Sequence, residues 1–358
     1  MKNYLYKIVL LALLIPCISF AGNRSKHTES KRFFKSVEVD PDALLKVTNK
    51  YGKIDVISWD KNRTEVEVII TVGGKDKDDV LNKLEQIEID FSARPNMVMA
   101  HTVMENESWS LLKWFSNKSF HIDVDYTIKL PKTNHVELEN NYGDIYITEL
   151  LGVANIDCDY GRIIIGDLHA DNNEINLDYC SGSSISWMKS GKVNIDYSSL
   201  TIEKSDHILL KADYSTSRLE DIGNLDFSCD YGKVSVSHAE NILGSGDYLI
   251  MRMGTISNSL RLDCDYGSLH IDNIQAGFSS IKIRSEYTNI KLGVHPDANF
   301  SIRANLSYCN LKNTEGFNFH KQIEKNTSKF YEGIYGAGKT ESSIILDSEF
   351  GSINFIRN

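Results

Sequence analysis

Eight carboxylates recur at one place in a repeating pattern. Asp159, Asp178, Asp196, Asp213, Asp230 and Asp265, then Glu286 and Glu349, each directly precede a tyrosine, or Phe350 in the last case. If the segments stack as neighbouring strands, these groups form an outward column about 5 Å apart. The first six make the sharper candidate: hard oxygen donors that could hold Ca²⁺ or a cationic ligand. Like charges so close repel. The plainer reading is therefore a solvated column that discourages sideways aggregation, or that caps the corner backbone through side-chain hydrogen bonds. Polysaccharide cleavage needs an acid and a base flanking a glycosidic bond, and a column without a cleft does not supply them. No catalytic residue and no cofactor other than Ca²⁺ is expected.

Other candidates are weaker. Gly333-Ile334-Tyr335-Gly336-Ala337-Gly338-Lys339-Thr340 fits the letter pattern of a nucleotide-binding P-loop. That loop follows a buried strand and opens a helix. Here the upstream residues 321–331 are polar and 342–346 alternate like a strand, so the match is read as coincidence. The 10 histidines show no metal-ligand spacing, and there is no nucleophile elbow or CxxC pair. Cys158, Cys229 and Cys264 each lie two residues before a tyrosine and read as small buried residues, with disulfides between rungs as the alternative in an oxidising compartment. The tyrosines share the phase of the preceding Ile and Cys, which predicts a core position rather than a sugar-stacking face.

The elements that would position these groups follow from the repeat. Cys158-Asp159-Tyr160-Gly161-Arg162-Ile163 recurs as Cys229-Asp230-Tyr231-Gly232-Lys233-Val234 and as Cys264-Asp265-Tyr266-Gly267-Ser268-Leu269. Weaker copies centre on Tyr51, Tyr142, Tyr179, Tyr197, Tyr214, Tyr287, Tyr308 and Phe350, with a degenerate one at Met253-Gly254-Thr255-Ile256. Period-2 alternation before and after each tyrosine predicts strands with one buried face. The phase jump at Tyr-Gly predicts a corner. The residue after tyrosine is Gly, Cys, Ser or Thr, which points to a demand for small size. A unit of about 18 residues cannot bury its own apolar face, but stacked units can. The expected fold class is all-β: a β-solenoid over 131–358, interrupted by a polar excursion at 312–342.

The remainder reads as a leader and a cap. Lys2 and Lys7 precede an apolar run from Ile8 to Pro16 and then Ser19-Phe20-Ala21, the pattern of a secretory signal over 1–21 cleaved after Ala21. Residues 22–32 are polar and read as a flexible lead-in. Residues 33–130 predict a small strand-rich cap with one helix at 76–87, N-capped by Asp76. The formal charge of -10 argues against nucleic acid and anionic lipid as partners. No segment of the mature chain is apolar enough to cross a membrane as a helix.

Lys50-Tyr51-Gly52-Lys53-Ile54-Asp55-Val56, with Trp59-Asp60-Lys61 and the alternating Val66-Glu67-Val68-Ile69-Ile70, resembles the DUF4097-type adhesin family. The helix at 76–87, Leu130-Pro131-Lys132 and the Tyr-Gly-x-Ile rungs are similar too. The resemblance implies an exported β-helical protein of a bacterial envelope, in the periplasm or at the surface, and brings no catalytic residues. The expected function is non-catalytic binding of a protein, glycan or cell-wall ligand through the solenoid faces. The alternatives are a scaffold that self-associates or binds a membrane partner, and an enzyme acting on polysaccharide.

Overall fold

The structure, a computed structural model, describes residues 25–104, 120–337 and 340–357. Strands dominate, and the described residues contain one helix, Lys77–Glu85. The chain divides into two compact units, one ending at Ala170 and one beginning at Asp171. Both are built from β-solenoid rungs, and the first also carries the small cap. The expected signal at 1–21 lies outside the described residues.

In the second unit, inward side chains set the parallel register. Ile185 pairs with Ile202, then in turn come Leu219, Val236, Met253, Ile271, Leu292 and Phe355. All are buried. A slip of one residue would turn the whole apolar set outward. Within the strand Ser199–Asp213 the buried residues are Leu200, Ile202, Ser205, Ile208, Leu210 and Ala212. The two three-residue steps, on either side of Ser205, bend the chain while one face stays inward, and the tyrosine makes the third bend.

At the end of this unit, stack order departs from chain order. Ser343–Glu349 lies between Ser280–Glu286 and Phe300–Ser307, parallel to both. Ser352–Arg357 likewise lies between Asn289–Val294 and Asn310–Lys312. The excursion holds two antiparallel strands, Phe317–Glu324 and Ser328–Tyr335, and the second pairs antiparallel with Phe300–Ser307. The chain runs out to cover the end rung, then returns to fill the gap next to it.

The first unit shows the same device. Leu44–Lys50 lies between Met97–Met104 and His135–Asn141, and Ile54–Trp59 between His121–Pro131 and Ile145–Leu150. No structural break therefore falls at the expected 130/131 boundary, because the Tyr51 rung is already part of the stack. Antiparallel strands cover this rung's outer neighbours: Ile87–Arg94 on Met97–Met104, and Arg63–Gly74 on His121–Pro131. The expected lead-in at 22–32 needs correction. His27–Glu38 is a strand paired antiparallel with Arg63–Gly74. Its residues are half-buried or exposed, so alternation did not announce residues 27–32, while 33–38 fall within the expected strand-rich cap. Asp76 caps the helix as expected, its Oδ1 accepting the N–H groups of Asp78 (3.0 Å) and Asp79 (3.1 Å). Val80 and Leu84 are the helix's buried residues.

Candidate functional site

The corner tyrosines are not in the core. In the second unit Tyr179, Tyr197, Tyr214, Tyr231, Tyr248, Tyr266, Tyr287 and Tyr308 are 46–59% exposed. The expected core position is overturned by the backbone. Every corner aromatic, from Tyr51 to Phe350, has φ between 48° and 62°. This left-handed conformation costs an L-residue about 1–2 kcal/mol, and it swings the side chain out of the phase set by the preceding strand. The positive φ falls on the aromatic and, except at Gly52 (φ 139°), not on the small residue after it.

Stacking offsets that cost. Tyr197, Tyr214, Tyr231, Tyr248, Tyr266 and Tyr287 stack in order with centroids 4.7–5.0 Å apart and planes within 9°. Phe350 continues the column between Tyr287 (4.7 Å) and Tyr308 (4.9 Å). In the first unit Tyr51, Tyr142 and Tyr160 stack at 5.4 and 5.0 Å. Each interior ring has both faces covered by its neighbours, so only edges and hydroxyls meet solvent. A sugar has no ring face to lie on there. Tyr231→Ala removes two stacked pairs and is expected to lower stability by about 1–3 kcal/mol although the residue is half exposed. A urea melt showing a loss below about 0.5 kcal/mol, the level of an ordinary surface substitution, would remove the stabilising role.

Tyr248 is a corner that the sequence pattern missed, and Met253-Gly254 is no corner: Gly254 lies inside the strand Leu249–Asp265. Buried Leu249 follows Tyr248, so small size after the aromatic is not required. It fits because Gly246 leaves room: a Cβ there would come within 2.8 Å of Leu249 Cδ1. Where Ser follows the tyrosine, its hydroxyl ties the corner. Ser198 Oγ accepts the Cys180 N–H (2.8 Å) and donates to the Asp196 carbonyl (2.7 Å). Ser215 repeats this with the Ser198 N–H (3.0 Å) and the Asp213 carbonyl (2.7 Å).

The carboxylates stand beside the ladder, and Asp247 joins them. In the second unit Asp178, Asp196, Asp213, Asp230, Asp247, Asp265 and Glu286 follow one another in the stack, with Glu349 next to Glu286. Asp159 holds the equivalent place before Tyr160 in the first unit. The Asp230 N–H donates to Asp213 Oδ1 (3.1 Å), that of Asp247 to Asp230 Oδ1 (2.8 Å) and that of Glu286 to Asp265 Oδ1 (2.7 Å). These carboxylates cap the next rung's backbone. Among the described residues no three His, Cys, Asp or Glu side chains converge as metal ligands would.

Burial, then the charges of Asp265 and Asp230, raise the Asp247 carboxyl above its ordinary value against the opposing N–H of Asp265. Burial, then Asp178 and Asp213, do the same for Asp196. A carboxyl raised in the folded state binds more protons there than in the unfolded chain. Stability should therefore rise as pH falls from neutrality toward the ordinary carboxylate range. Asn at 247 keeps an acceptor and drops the charge. Asp247→Asn is expected to raise Tm at pH 7 and to flatten that pH dependence; a Tm that stays level or falls at pH 7 would contradict the repulsion.

The outward residues of the strands leading into these corners form a second candidate, which sequence reasoning missed. Six adjacent parallel segments place Leu209, Asp226, Leu243, Arg261, Lys282 and Ile345 in one column. Two residues along lies the column Lys211, Ser228, Ser245, Asp263, Arg284 and Asp347. Over them runs an open groove of about 870 Å³. It shares Lys192 and Leu209 with a groove of about 550 Å³ that reaches Asp171. It shares Arg284 and Asp347 with one of about 460 Å³ beside Lys325 and Lys329. The three form a continuous trough. Leu209 and Leu243 are 45% and 51% exposed.

No family model matches the sequence, and no curated protein matches it. Among solved structures the chain is similar to a "putative cell adhesion protein" from Clostridium sporogenes, at 13% identity and a TM-score of 0.20, over 92% of this chain and 100% of that one. It is also similar to a "putative adhesin" from Parabacteroides merdae (9% identity, TM-score 0.28, 91% and 96% covered). A third, from Parabacteroides distasonis, bears the same description (10% identity, TM-score 0.25, 91% and 97% covered). Likeness this loose assigns no function, so the site rests on its own geometry.

The trough's charge is uneven. On its rim Lys189 pairs with Asp171 (2.7 Å) and Lys192 with Glu174 (3.3 Å). Lys211, Arg261, Lys282 and Arg284 line its floor and make no ion pair among the described residues. The remaining sequence candidates fall away from it. Cys158, Cys180, Cys229, Cys264 and Cys309 are all buried; Cys229 and Cys264 are free thiols, each pushed by burial to about 12. Of the P-loop-like octapeptide, Gly333 lies in an antiparallel strand and the next element is the strand Ser343–Glu349, while Gly338 and Lys339 lie outside the described residues. No described helix is long and apolar enough to cross a membrane.

Proposed function

We propose that the protein is an exported, non-catalytic binding protein of the DUF4097-type adhesin kind, and that the trough of the second unit is its ligand-binding face. The observation that carries this reading is the trough itself. Lys211, Arg261, Lys282 and Arg284, without an ion pair among the described residues, share one concave face with exposed Leu209 and Leu243. Long parallel-sheet faces offer an extended ligand many weak contacts at once. The lysine-preceded apolar leader at 1–21 supports export to the periplasm or cell surface. The scaffold alternative would use the end strand Phe317–Glu324, which pairs with Ser328–Tyr335. Its His320, Lys321 and register shift at Phe319/Lys321 are features that discourage edge-to-edge pairing.

The mature protein, tested on immobilised gelatin, fibronectin, mucin, hyaluronan, polygalacturonate and dextran, is expected to bind at least one saturably. Ser245→Trp, which fills the trough from an exposed position, is expected to abolish that binding with Tm unchanged. Equal binding by parent and variant to every retained probe, or retention of none, would refute the reading. Incubation with the same glycans should release no new reducing ends; their appearance would establish the enzyme alternative.

A further inference from the structure

The floor of the trough is chemically graded along the stack. At one end Leu209 and Leu243 flank Asp226, with small Ser228 and Ser245 beside them. At the other, Arg261 and Lys282 are direct neighbours on adjacent strands, about 4.8 Å apart at the backbone, and Arg284 is two residues along from Lys282 on the same face. Three cations within such a span repel one another. The nearest acidic neighbours in the register, Asp263 and Asp347 on either side of Arg284, are not in ion-pair contact with it among the described residues. Asp347 Oδ1 instead accepts a hydrogen bond from Asn305 Nδ2 at 2.6 Å. The cluster therefore sets three cations without an ion pair among the described residues next to an apolar, hydroxyl-lined floor.

Resting on the trough as the binding face, we infer that its ligand is a linear acidic glycan, whose carboxylates sit on Arg261, Lys282 and Arg284 while neighbouring sugars lie over Leu209, Leu243 and the two serines. A pyranose has the matching dual character: apolar C–H faces for the leucines, and hydroxyls that donate to Asp226. A guanidinium takes a carboxylate through two parallel N–H bonds, and such charge-assisted bonds are about twice as strong as neutral ones. Nucleic acid fits badly. Its bases would find no exposed aromatic ring on this floor to stack on, Phe227 being buried. An extended acidic peptide is also disfavoured. Strands of the floor are hydrogen-bonded to neighbours on both sides, so no free edge is left there to pair its backbone.

The test uses the mature protein with polygalacturonate, hyaluronan and alginate, each against its carboxyl methyl ester, and with poly-glutamate and neutral dextran. At least one acidic glycan is expected to bind. Its ester, and the Lys282→Gln/Arg284→Gln variant with the native glycan, should each bind at least about tenfold more weakly, a loss of about 1.4 kcal/mol. Binding should also weaken as salt is raised. Equal binding of the ester, poly-glutamate binding as tightly as any glycan, or no glycan binding at all overturns the glycan assignment. In those cases, a protein or dextran ligand lost on Ser245→Trp would leave the trough standing as the site. Acidic glycan binding that survives Ser245→Trp overturns both.

Discussion

A chain ending at Ser342 is expected to lose ordered structure far beyond the residues removed. In a solenoid stacked in chain order, cutting the last rung exposes only the one before it. Here residues 343–357 form the rung between those of Tyr287 and Tyr308. Ile344, Leu346, Ile353 and Phe355 are 0–3% exposed, and at about 1.5–3 kcal/mol each they contribute about 6–12 kcal/mol. That is as large as the whole stability of a typical domain. Phe350 also links the terminal Tyr308 to the rest of the aromatic column. Amide exchange should show protection lost across residues 300–335, which then have no parallel neighbour. Residues up to about 265 should keep theirs, because rung stability comes from nearest neighbours. Full protection of 300–335 in the truncated chain would contradict the intercalated rung.

Gly246 and Leu249 should behave as one unit. A Cβ at 246 would lie 1.8 Å from the Cys229 carbonyl oxygen as well as 2.8 Å from Leu249 Cδ1. Gly246→Cys is thus expected to cost about 3 kcal/mol by overpacking. Leu249→Gly empties a site that is 1% exposed and should cost about 3 kcal/mol or more. Together they recreate the Cys-Asp-Tyr-Gly corner found at Tyr231 and Tyr266. The double variant is expected to cost less than the sum of the two single costs, with an interaction of about 1–3 kcal/mol, because shortening residue 249 removes one of the two close approaches and leaves the one to the Cys229 carbonyl. Urea melts of all four proteins decide it: costs that simply add would show that the two positions do not share one space.

Much of the architecture was legible because it is written in short-range periodicity. Alternation of Ile, Leu and Val marks the strands. The recurring Asp-Tyr marks the corners, and Asp76 with Val80 and Leu84 marks the helix. The first half of strand His27–Glu38, read as part of a lead-in, escaped because it presents no cleanly buried face. Tyr248 escaped because its flanking glycine stands on the other side of the aromatic. The acidic column was visible as a position, but its role as a backbone cap needed the rung spacing that brings each carboxylate to the next N–H.

From the residues alone came the β-solenoid, the approximate strand bounds, the carboxylate column and the buried cysteines, since each depends on neighbours within one repeat. Only the tertiary structure decided that the tyrosines face outward, because a left-handed φ at one residue reverses the direction that alternation implies. It alone showed the end segments returning between earlier rungs, since one parallel partner suits an alternating strand as well as another. The trough, too, exists only in the stack. Arg261, Lys282 and Arg284 meet across strands 21 residues apart in the chain, and pairing, not sequence proximity, makes them a site.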